Sequence, residues 1–205
     1  MGSRAESRQQ TAARVVAAAS RLFSQQGYRP TTVPQIAVEA GVSVGTVASV
    51  GSKDALFLRS WEESSTAASL ALIAEAATAS DSVTERVWTY IGHMVEATIA
   101  APDAVRDYFV AYLRASDHAA NLGRLNEVGA ALRGLFPDEP PEEDSLAKGP
   151  FGSPAELASW TIWLAFSAVC FGLAASSYPP EDARALMRAV VESQCAPFEK
   201  QGADR

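Results

Sequence analysis

The sequence is poor in cysteine, and Cys170 and Cys195 are the two thiols in 205 residues. Two cysteines are too few for the disulfide framework of a small secreted domain, and both stand in apolar surroundings, where a free thiol behaves as a small hydrophobic residue. The first residues lack a basic region followed by an apolar run, and Glu6 stands where a myristoylation signal has Ser or Thr. We therefore expect a cytoplasmic protein that is neither exported nor lipidated.

Motifs of common catalytic and metal sites are missing as well. The sequence has no Gly-x-Ser-x-Gly motif and no glycine-rich phosphate loop that ends in Gly-Lys-Ser/Thr. Its two histidines, His93 and His118, lie far apart without an accompanying pattern of cysteines or carboxylates. We expect no enzymatic activity, no metal ion and no cofactor, and we expect His93 to be an ordinary buried core residue.

Strand patterns are also absent, because no segment shows sustained alternation of apolar and polar residues. Apolar residues recur at helical spacing along the chain, and in the first helix, over 8–26, they are Ala12, Val15, Val16, Ala19, Leu22 and Phe23. Capping residues, prolines and glycines divide this pattern into nine helices, of which the last covers 181–195. The sequence predicts an all-α fold.

The stretch from Leu157 to Pro180 contains no charged residue. A transmembrane helix requires about 20 mostly apolar residues, so length and composition permit a membrane span here. The stretch also contains several Ser and Thr residues and much Ala, and no basic cluster flanks it to set an orientation. We favour a buried or subunit-interface helix and keep a membrane-anchored helical protein as an alternative.

Charge is distributed unevenly along the chain. Residues 1–60 contain seven basic and three acidic side chains, a net charge of +4 within a total of −7, so the remainder carries −11. A basic segment attached to an acidic one suits a nucleic-acid reader with a separate regulatory part, since only the basic segment is attracted to phosphate. Chance unevenness remains the alternative on charge alone.

Two short helices joined by a glycine-containing turn are predicted near the N-terminus. Thr32 is a suitable N-cap with Gln35 as its capping-box partner, and Gly41 ends the first of these helices. Ser43 can cap a second short helix over 44–50, and Ser52 caps the long helix that follows. This arrangement is typical of a helix-turn-helix.

Residues 8–59 contain a series of short motifs, which are Leu22-Phe23, Gly27-Tyr28, Thr31-Thr32-Val33, Ile36-Ala37, Ala40-Gly41-Val42-Ser43, Gly45-Thr46-Val47 and Ser52-Lys53-Asp54-Ala55-Leu56. In order and spacing these resemble the DNA-binding domain of the tetracycline-repressor (TetR) family of bacterial regulators. The remainder is similar to that family only in size and helix count. The resemblance implies a DNA-binding domain over 1–52 and a helical ligand-binding and dimerisation domain over 53–205.

The second short helix departs from the family pattern. After the Gly-Thr pair the family usually has an aliphatic residue, Tyr, any residue, His or Tyr, and then Phe, whereas this chain continues Val47-Ala48-Ser49-Val50-Gly51 and is one residue shorter before Ser52. Ala48 stands where the phosphate-contacting Tyr of the family would be. The resemblance therefore carries over the function but no base preference.

Small side chains throughout 44–50 would allow this helix to enter a major groove about 12 Å wide. Gly45 is unfavourable in a helix interior, so we expect its backbone to approach DNA closely, although packing against the preceding helix would also explain it. Lys53 opposes the dipole of its own helix, which favours a phosphate partner. The predicted DNA-binding residues are Thr32, Ser43, Val44, Gly45, Thr46, Ala48, Ser49 and Lys53, with pure capping as the alternative for Thr32 and Ser43.

Aromatic residues are concentrated in the second part of the chain. Several of them combine an apolar body with a hydrogen-bonding tip, which suits a pocket for a small hydrophobic effector. The predicted ligand-binding residues are Trp88, His93, Tyr108, Tyr112 and Trp163, with ordinary core packing as the alternative for each.

The last two helices are expected to form a homodimer interface. The eighth is uncharged, and the ninth lines one face with Ala183, Leu186, Met187, Val190 and Val191, so a monomer could not hide both fully. We expect a homodimeric, ligand-responsive repressor that binds a pseudo-palindromic operator in double-stranded DNA, without membrane association. The alternative is a helical ligand-binding or interaction protein that has lost specific DNA binding, which the missing aromatic residues would explain.

Overall fold

The computed structural model describes residues 4–115, 128–137, 152–177 and 179–199, and every regular element in these ranges is helical. The helices are α1 (Arg4–Gln26), α2 (Val33–Ala40), α3 (Val44–Val50), α4 (Lys53–Ala76), α5 (Val83–Ala100), α6 (Pro102–Arg114), α7 (128–133), α8 (Pro154–Ala174) and α9 (Pro180–Glu199). The prediction of an all-α fold with nine helices is confirmed for this part of the chain. The sequence predicts that the seventh helix starts at Asp117 and that an acidic, proline-broken loop covers 137–144. Asp117, His118 and residues 138–144 lie outside the described residues.

The chain divides into two compact units. The head unit comprises Met1–Ser65 and Arg106–Asn121, and the body unit comprises Thr66–Val105 and Leu122–Arg205. Helices α4 and α6 each contribute residues to both units. The predicted boundary between residues 52 and 53 separates a DNA-binding domain from a ligand-binding and dimerisation domain, and it stays a prediction.

Helix α1 supplies much of the core of the head unit through the apolar stripe seen in its sequence. Val15 and Ala19 have no exposed surface, and Ile36 of α2 and Val47 of α3 are also fully buried. Phe57 of α4 also belongs to this core. Its ring centroid lies 5.2 Å from that of Phe23 and 4.6 Å from that of Tyr28. Burial of each such aliphatic side chain stabilises the unit by about 1.5–3 kcal/mol.

The turn between α2 and α3 follows from local sequence signals. Thr32 and Gln35 form the predicted capping box at the start of α2. Gly41 ends α2 at φ 65°, a left-handed conformation that favours glycine. The Ser43 hydroxyl then accepts from the Thr46 N–H at 3.1 Å and starts α3. The axes of the two short helices differ by 100°, as in a helix-turn-helix.

In the body unit, α5, α8 and α9 pack against one another. Helix α8 is long and apolar enough to span a membrane by length and composition, but 56% of that stretch is buried inside the protein. Its buried residues include Ile162, Phe166 and Val169, as in the core helix of a water-soluble domain. It ends at Ala174, earlier than the uncharged stretch, because Ser176 adopts φ 54° and the Ser177 N–H donates to the Gly172 carbonyl at 2.8 Å.

Helix α9 continues four residues beyond its predicted end at Cys195, to Glu199, and includes Pro197. Proline disfavours a helix interior, which is why the sequence placed the end earlier. Contacts with distant residues hold the extra turn. The Phe198 ring packs edge-on against Phe136 with centroids 5.1 Å apart, and a carboxylate oxygen of Glu199 accepts from the Ser82 hydroxyl and from the Thr84 N–H, both at 2.7 Å.

Candidate functional site

Helix α3 presents one continuous small surface outward. Val47 has no exposed surface and anchors the helix in the head core, whereas Val44, Gly45, Ala48 and Ser49 are all exposed. Residues four positions apart stack on an α-helix, so Val44 stacks with Ala48 and Gly45 with Ser49, and these two adjoining exposed rows form one patch. We call this patch the α3 face. Its members are four of the predicted DNA-binding residues.

Gly45 has no packing reason to be glycine. A Cβ atom built there would have the Ser43 Oγ at 3.8 Å as its one neighbour within 4 Å, which is ordinary van der Waals contact. Glycine in a helix is nevertheless less favourable than alanine by about 0.5–1 kcal/mol. The alternative that Gly45 packs tightly against α2 is therefore not supported, and the close approach of DNA to its backbone stays a prediction.

The polar groups near the α3 face are partly engaged within the head unit. The hydroxyl oxygens of Ser43 and Thr46 lie 2.9 Å apart, and the Ser49 hydroxyl donates to the Thr46 carbonyl at 2.7 Å. The Ser49 oxygen keeps its lone pairs and is exposed, so it offers an acceptor on the surface. Thr32, also exposed, exchanges hydrogen bonds with Gln35 at the start of α2.

Lys53 has partners inside the head unit that the sequence did not reveal. Its ammonium nitrogen lies 4.2 Å from the centroid of the Tyr28 ring and donates to the Arg29 carbonyl at 3.3 Å. Burial lowers the pKa of Lys53, although Asp54 and Asp107 act in the opposite direction. The side chain is therefore held at the start of α4 in one place, and its further N–H groups are the donors that a phosphate contact would use.

Tyr28 connects Lys53 to the rest of this arrangement. Its hydroxyl donates to the Asp54 carboxylate, and burial together with that bond raises the pKa of Tyr28 to about 12. Sequence reasoning missed this role, although Gly27-Tyr28 and Lys53-Asp54 both belong to the motifs of the family resemblance. The presence of both motifs could have indicated this contact, although Tyr28 and Asp54 lie 26 residues apart in the sequence.

Several basic side chains of residues 1–60 are paired with carboxylates. Nε of Arg21 lies 3.0 Å from Glu39, and Nε of Arg29 lies 2.8 Å from Asp107 on α6. Such exposed pairs contribute about 0–1 kcal/mol to stability but reduce the positive field that DNA would meet. The head unit also includes Glu62 and Glu63, whereas its segment 106–121 adds two basic and two acidic side chains, so its net charge is +2 and not the +4 counted over residues 1–60.

The predicted ligand-binding residues are not brought together in one unit. Tyr108 and Tyr112 lie on α6 within the head unit, where they are half-buried, and their ring centroids are 6.2 Å apart. Trp88, His93 and Trp163 lie in the body unit, and of these Trp163 is buried, 5.6 Å from the Phe166 ring. The expectation that His93 is a core residue is wrong, because its position on α5 faces solvent.

Trp88 lies half-buried on the surface of α5. A Cβ atom at Gly92 would stand 3.1 Å from its ring, so the indole is folded against the backbone one turn later. The guanidinium carbon of Arg188 lies 5.2 Å from the ring centroid, and Glu85 holds that arginine at 2.7 Å. Trp88 thus covers the outside of the body unit, and a stabilising role accounts for all of these contacts.

Tyr90 is a body-unit aromatic residue that the predicted ligand set does not include. It is fully buried, and its hydroxyl has no hydrogen-bond partner among the described residues. Burial raises the pKa of Tyr90 to about 12, so the phenol is neutral and acts as a donor at physiological pH. The sequence could not show that its polar end lacks a partner, because this depends on how the helices pack.

Comparison with known proteins agrees with the head geometry. Residues 15–59 match the family "Bacterial regulatory proteins, tetR family". This segment contains α2, α3 and the start of α4, and therefore the whole α3 face. No curated protein matches the chain.

Solved structures share the fold of the chain. A TetR transcriptional regulator from Rhodococcus sp. RHA1 has a TM-score of 0.56 at 16% identity, covering 91% of this chain and 95% of that one. The fatty acid degradation regulator FadR from Bacillus halodurans has a TM-score of 0.52 at 19% identity, covering 89% and 96%. A protein from Pseudomonas aeruginosa PAO1 has a TM-score of 0.54 at 23% identity, covering 94% of each chain. The chain therefore has a segment, residues 15–59, that matches the tetR family, and it shares its fold with solved TetR-family transcriptional regulators.

Proposed function

We propose that this protein is a ligand-responsive repressor that binds a pseudo-palindromic operator as a homodimer. The observation that carries the proposal is the α3 face, a small exposed surface on a helix that Val47 fixes in the head core. Its glycine has no internal packing role. We assign DNA contact to Thr32, Ser43, Val44, Gly45, Thr46, Ala48, Ser49 and Lys53.

The chemistry of the α3 face favours shape and methyl contacts over bidentate base reading. Val44 and Ala48 suit contact with thymine methyl groups, and Thr46 and Ser49 can exchange single hydrogen bonds with base edges or phosphate. No arginine, asparagine or glutamine side chain lies on this face. We expect the phosphates to be contacted by Lys53, by the capped helix N-termini and by other basic groups of the head unit. The affinity for DNA should therefore depend strongly on the salt concentration.

A homodimer through α8 and α9 is supported by apolar side chains on the surface of the body unit. Leu157, Leu164 and Phe171 are spaced seven residues apart along α8 and are 42%, 59% and 56% exposed. Leu186 on α9 is 50% exposed. Such a stripe is typical of a helix that packs against another helix. Leu164→Glu should give a monomer by sedimentation and should weaken operator binding.

The regulatory half of the proposal is a population shift. An effector that binds more tightly to a conformer with misplaced α3 helices lowers operator affinity tenfold for about every 1.4 kcal/mol of preference. We also propose a cytoplasmic location and no enzymatic activity, which agree with the fold and with the burial of α8.

The test is selection of binding sites from a random DNA pool by the purified protein, at low and at physiological salt. We expect an inverted repeat that remains enriched at the higher salt. Binding without an enriched sequence, or no binding, would contradict the proposal and favour a ligand-binding or interaction protein, which the absence of the family's Tyr at Ala48 would then explain.

Two variants locate the contacts on the selected operator. Lys53→Ala should weaken binding to every sequence and reduce the salt slope by about one, because one phosphate contact is lost. Thr46→Ala should instead change the preference at one base position while leaving the salt slope intact. If both variants retain wild-type affinity and preference, then α3 and the start of α4 are not the DNA-contacting elements.

A further inference from the structure

The Tyr90 hydroxyl is an unpaired polar group inside the body unit. Tyr90 has no exposed surface, and its oxygen lacks a hydrogen-bond partner among the described residues. Buried polar groups in native proteins nearly always have a partner, and a phenylalanine would fill the same space without the cost of desolvating a hydroxyl. An orphaned hydroxyl at this depth therefore requires an explanation other than packing.

The neighbouring polar groups do not satisfy this hydroxyl. The Thr98 hydroxyl donates to the Met94 carbonyl at 2.9 Å, and the Cys170 sulfur lies 3.5 Å from the same Thr98 oxygen. Because the Thr98 proton is already used, the thiol is the donor of that second contact. Ser69 on α4 interacts with the Tyr90 hydroxyl and lowers its pKa, but the two side chains do not meet the geometry of a full hydrogen bond.

The buried polar side chains that are described in the body unit carry no charge. Among the described residues of the body unit, the buried polar side chains are Ser69, Thr98 and Ser159, all of them hydroxyls. Burial raises the pKa of the Cys170 thiol to about 11, so it is neutral at physiological pH. A ligand group with a net charge would find no buried counter-ion here, and its desolvation would oppose binding.

We propose that the body unit binds an uncharged, mainly apolar effector whose oxygen acceptor takes the hydrogen bond of the Tyr90 hydroxyl. The site lies between α4, α5 and α8, which contribute Ser69, Tyr90 and Cys170. This inference rests on the proposed ligand-responsive function and specifies the chemical class of the effector. It replaces Trp88 and His93, which lie at the surface, with an interior donor.

Two hydroxyl deletions test whether the Tyr90 hydroxyl is unpaired in the effector-free protein. Tyr90→Phe should leave the melting temperature unchanged or raise it, because no internal hydrogen bond is lost. Thr98→Val is the matched control and should lower the melting temperature, because it removes a bonded hydroxyl and leaves the Cys170 thiol without an acceptor. A fall in Tyr90→Phe as large as that in Thr98→Val would overturn the proposal, since it would show an internal partner such as a buried water.

The chemical class is tested with three matched sets of probes. The ketones are methyl octyl ketone, acetophenone and methyl naphthyl ketone. In each hydrocarbon partner a CH₂ group replaces the carbonyl oxygen, and in each carboxylate partner, which is nonanoate, benzoate or naphthoate, an anionic oxygen replaces the methyl group. The three sets differ in size and shape, whereas the members of one set differ only in the group that Tyr90 would meet.

Binding is followed by thermal shift of the full chain and by titration. We expect at least one ketone to stabilise the wild type more than its hydrocarbon and its carboxylate do, and Tyr90→Phe to bind that ketone about tenfold more weakly. The proposal is overturned if no ketone binds, if a carboxylate binds better than its ketone, or if Tyr90→Phe binds the ketone as tightly as the wild type.

The same proteins separate this inference from the proposed function. Operator binding without ketone should be equal in the wild type and in Tyr90→Phe, because the hydroxyl lies in the body unit. Ketone binding without any DNA binding would support this inference and contradict the proposed repressor function. Operator binding that no ketone or other probe alters would contradict this inference and support the DNA-binding function.

Discussion

The head unit and the body unit position their functional residues by different means. In the head unit, α2 and α3 are 8 and 7 residues long, and each is capped by a hydroxyl directly before it. In the body unit, α8 is 21 residues long and buries residues on several sides against α5 and α9. Short helices depend on their caps and on one or two anchors, whereas a long buried helix depends on everything packed around it.

This difference decides what a sequence can reveal. The α3 face follows from rules that act within four or five residues, namely capping, helical periodicity and the left-handed glycine. The environment of Tyr90 depends on three helices that are distant in sequence. The sequence therefore predicts the roles of single residues in the head unit, whereas in the body unit it predicts only which residues belong to the core. Four substitutions test this comparison, in order from the largest expected effect to the smallest.

Truncation of the anchor of α2 should have the largest effect on stability. Ile36→Ala removes a side chain with no exposed surface and should lower the free energy of unfolding by about 2–5 kcal/mol in urea denaturation. Val38→Ala on the same helix is the control, because Val38 is 83% exposed and should change stability by less than about 0.5 kcal/mol. Equal losses in the two variants would contradict the packing described for α2.

Removal of the long-range cap on α5 should have the next largest effect. Glu199→Ala deletes two charge-assisted hydrogen bonds and should destabilise the protein by about 2 kcal/mol at pH 7. Glu192→Ala, which breaks an exposed pair with Arg188 at 2.6 Å, should cost less than about 1 kcal/mol. A larger loss in Glu192→Ala would indicate that α9 is held by its surface pairs.

The Glu199 contribution should also depend on pH in a defined direction. Burial raises the pKa of Glu199, but its hydrogen bonds with Thr84 and Ser82 and the nearby Arg86 more than offset this and lower it below the ordinary 4.5. Because the folded-state pKa is the lower one, the contribution is complete above pH 4.5 and is lost as the pH falls through the lowered pKa. The stability difference between wild type and Glu199→Ala should shrink in that acidic range and stay constant near neutrality.

Loss of the α3 cap should have a smaller effect. Ser43→Ala leaves the Thr46 N–H without its acceptor and should cost about 0.5–2 kcal/mol, whereas Ser43→Gly should cost only a few tenths. Ser49→Ala is the control on the same helix, because its hydroxyl donates within α3 and lies at the surface. If Ser43→Ala is as stable as Ser49→Ala, the serine is retained for DNA contact alone.

The smallest change in stability is expected at Gly45, and its sign is opposite. Gly45→Ala should stabilise the head unit by about 0.5–1 kcal/mol, because the helix gains propensity and the new methyl group has room. Operator affinity should fall at the same time, since the methyl group stands on the α3 face. A stabilised protein with unchanged operator affinity would show that no DNA approaches this glycine.

The sequence was sufficient for most of the head unit because its determinants are local. Thr32, Gly41 and Ser43 stand where caps and a left-handed turn are required, and the structure has them in those roles. The arrangement around Lys53 does not follow from spacing, because Tyr28, which lies just beyond α1, meets Lys53 and Asp54 only after α1 and α4 have packed. The phosphate contact assigned to Lys53 stays a prediction beside its internal partners.

For the body unit the helices were predicted well and the roles of single residues poorly. The end of α9 is an example. The helix continues past Pro197 because Phe198 and Glu199 contact partners more than 60 residues earlier in the chain. His93 has an exposed position because its place on α5 is turned from the core, which one side chain's polarity does not reveal. Tyr90 is not among the predicted ligand-binding residues, because only the packed structure shows that its hydroxyl lacks a partner among the described residues.

The most direct test of the central claim compares one substitution on the α3 face with the same substitution elsewhere. Ala48→Glu places a carboxylate on the α3 face, and Ala97→Glu places one on an exposed position of α5 in the body unit. We would measure the affinity of both variants for the selected operator by fluorescence anisotropy at physiological salt, after circular dichroism has verified equal helix content. Ala48→Glu should bind at least about a hundredfold more weakly than the wild type, because a like charge is forced against the DNA, and Ala97→Glu should stay within about threefold. Equal affinities for the two variants would contradict the claim that the α3 face reads DNA.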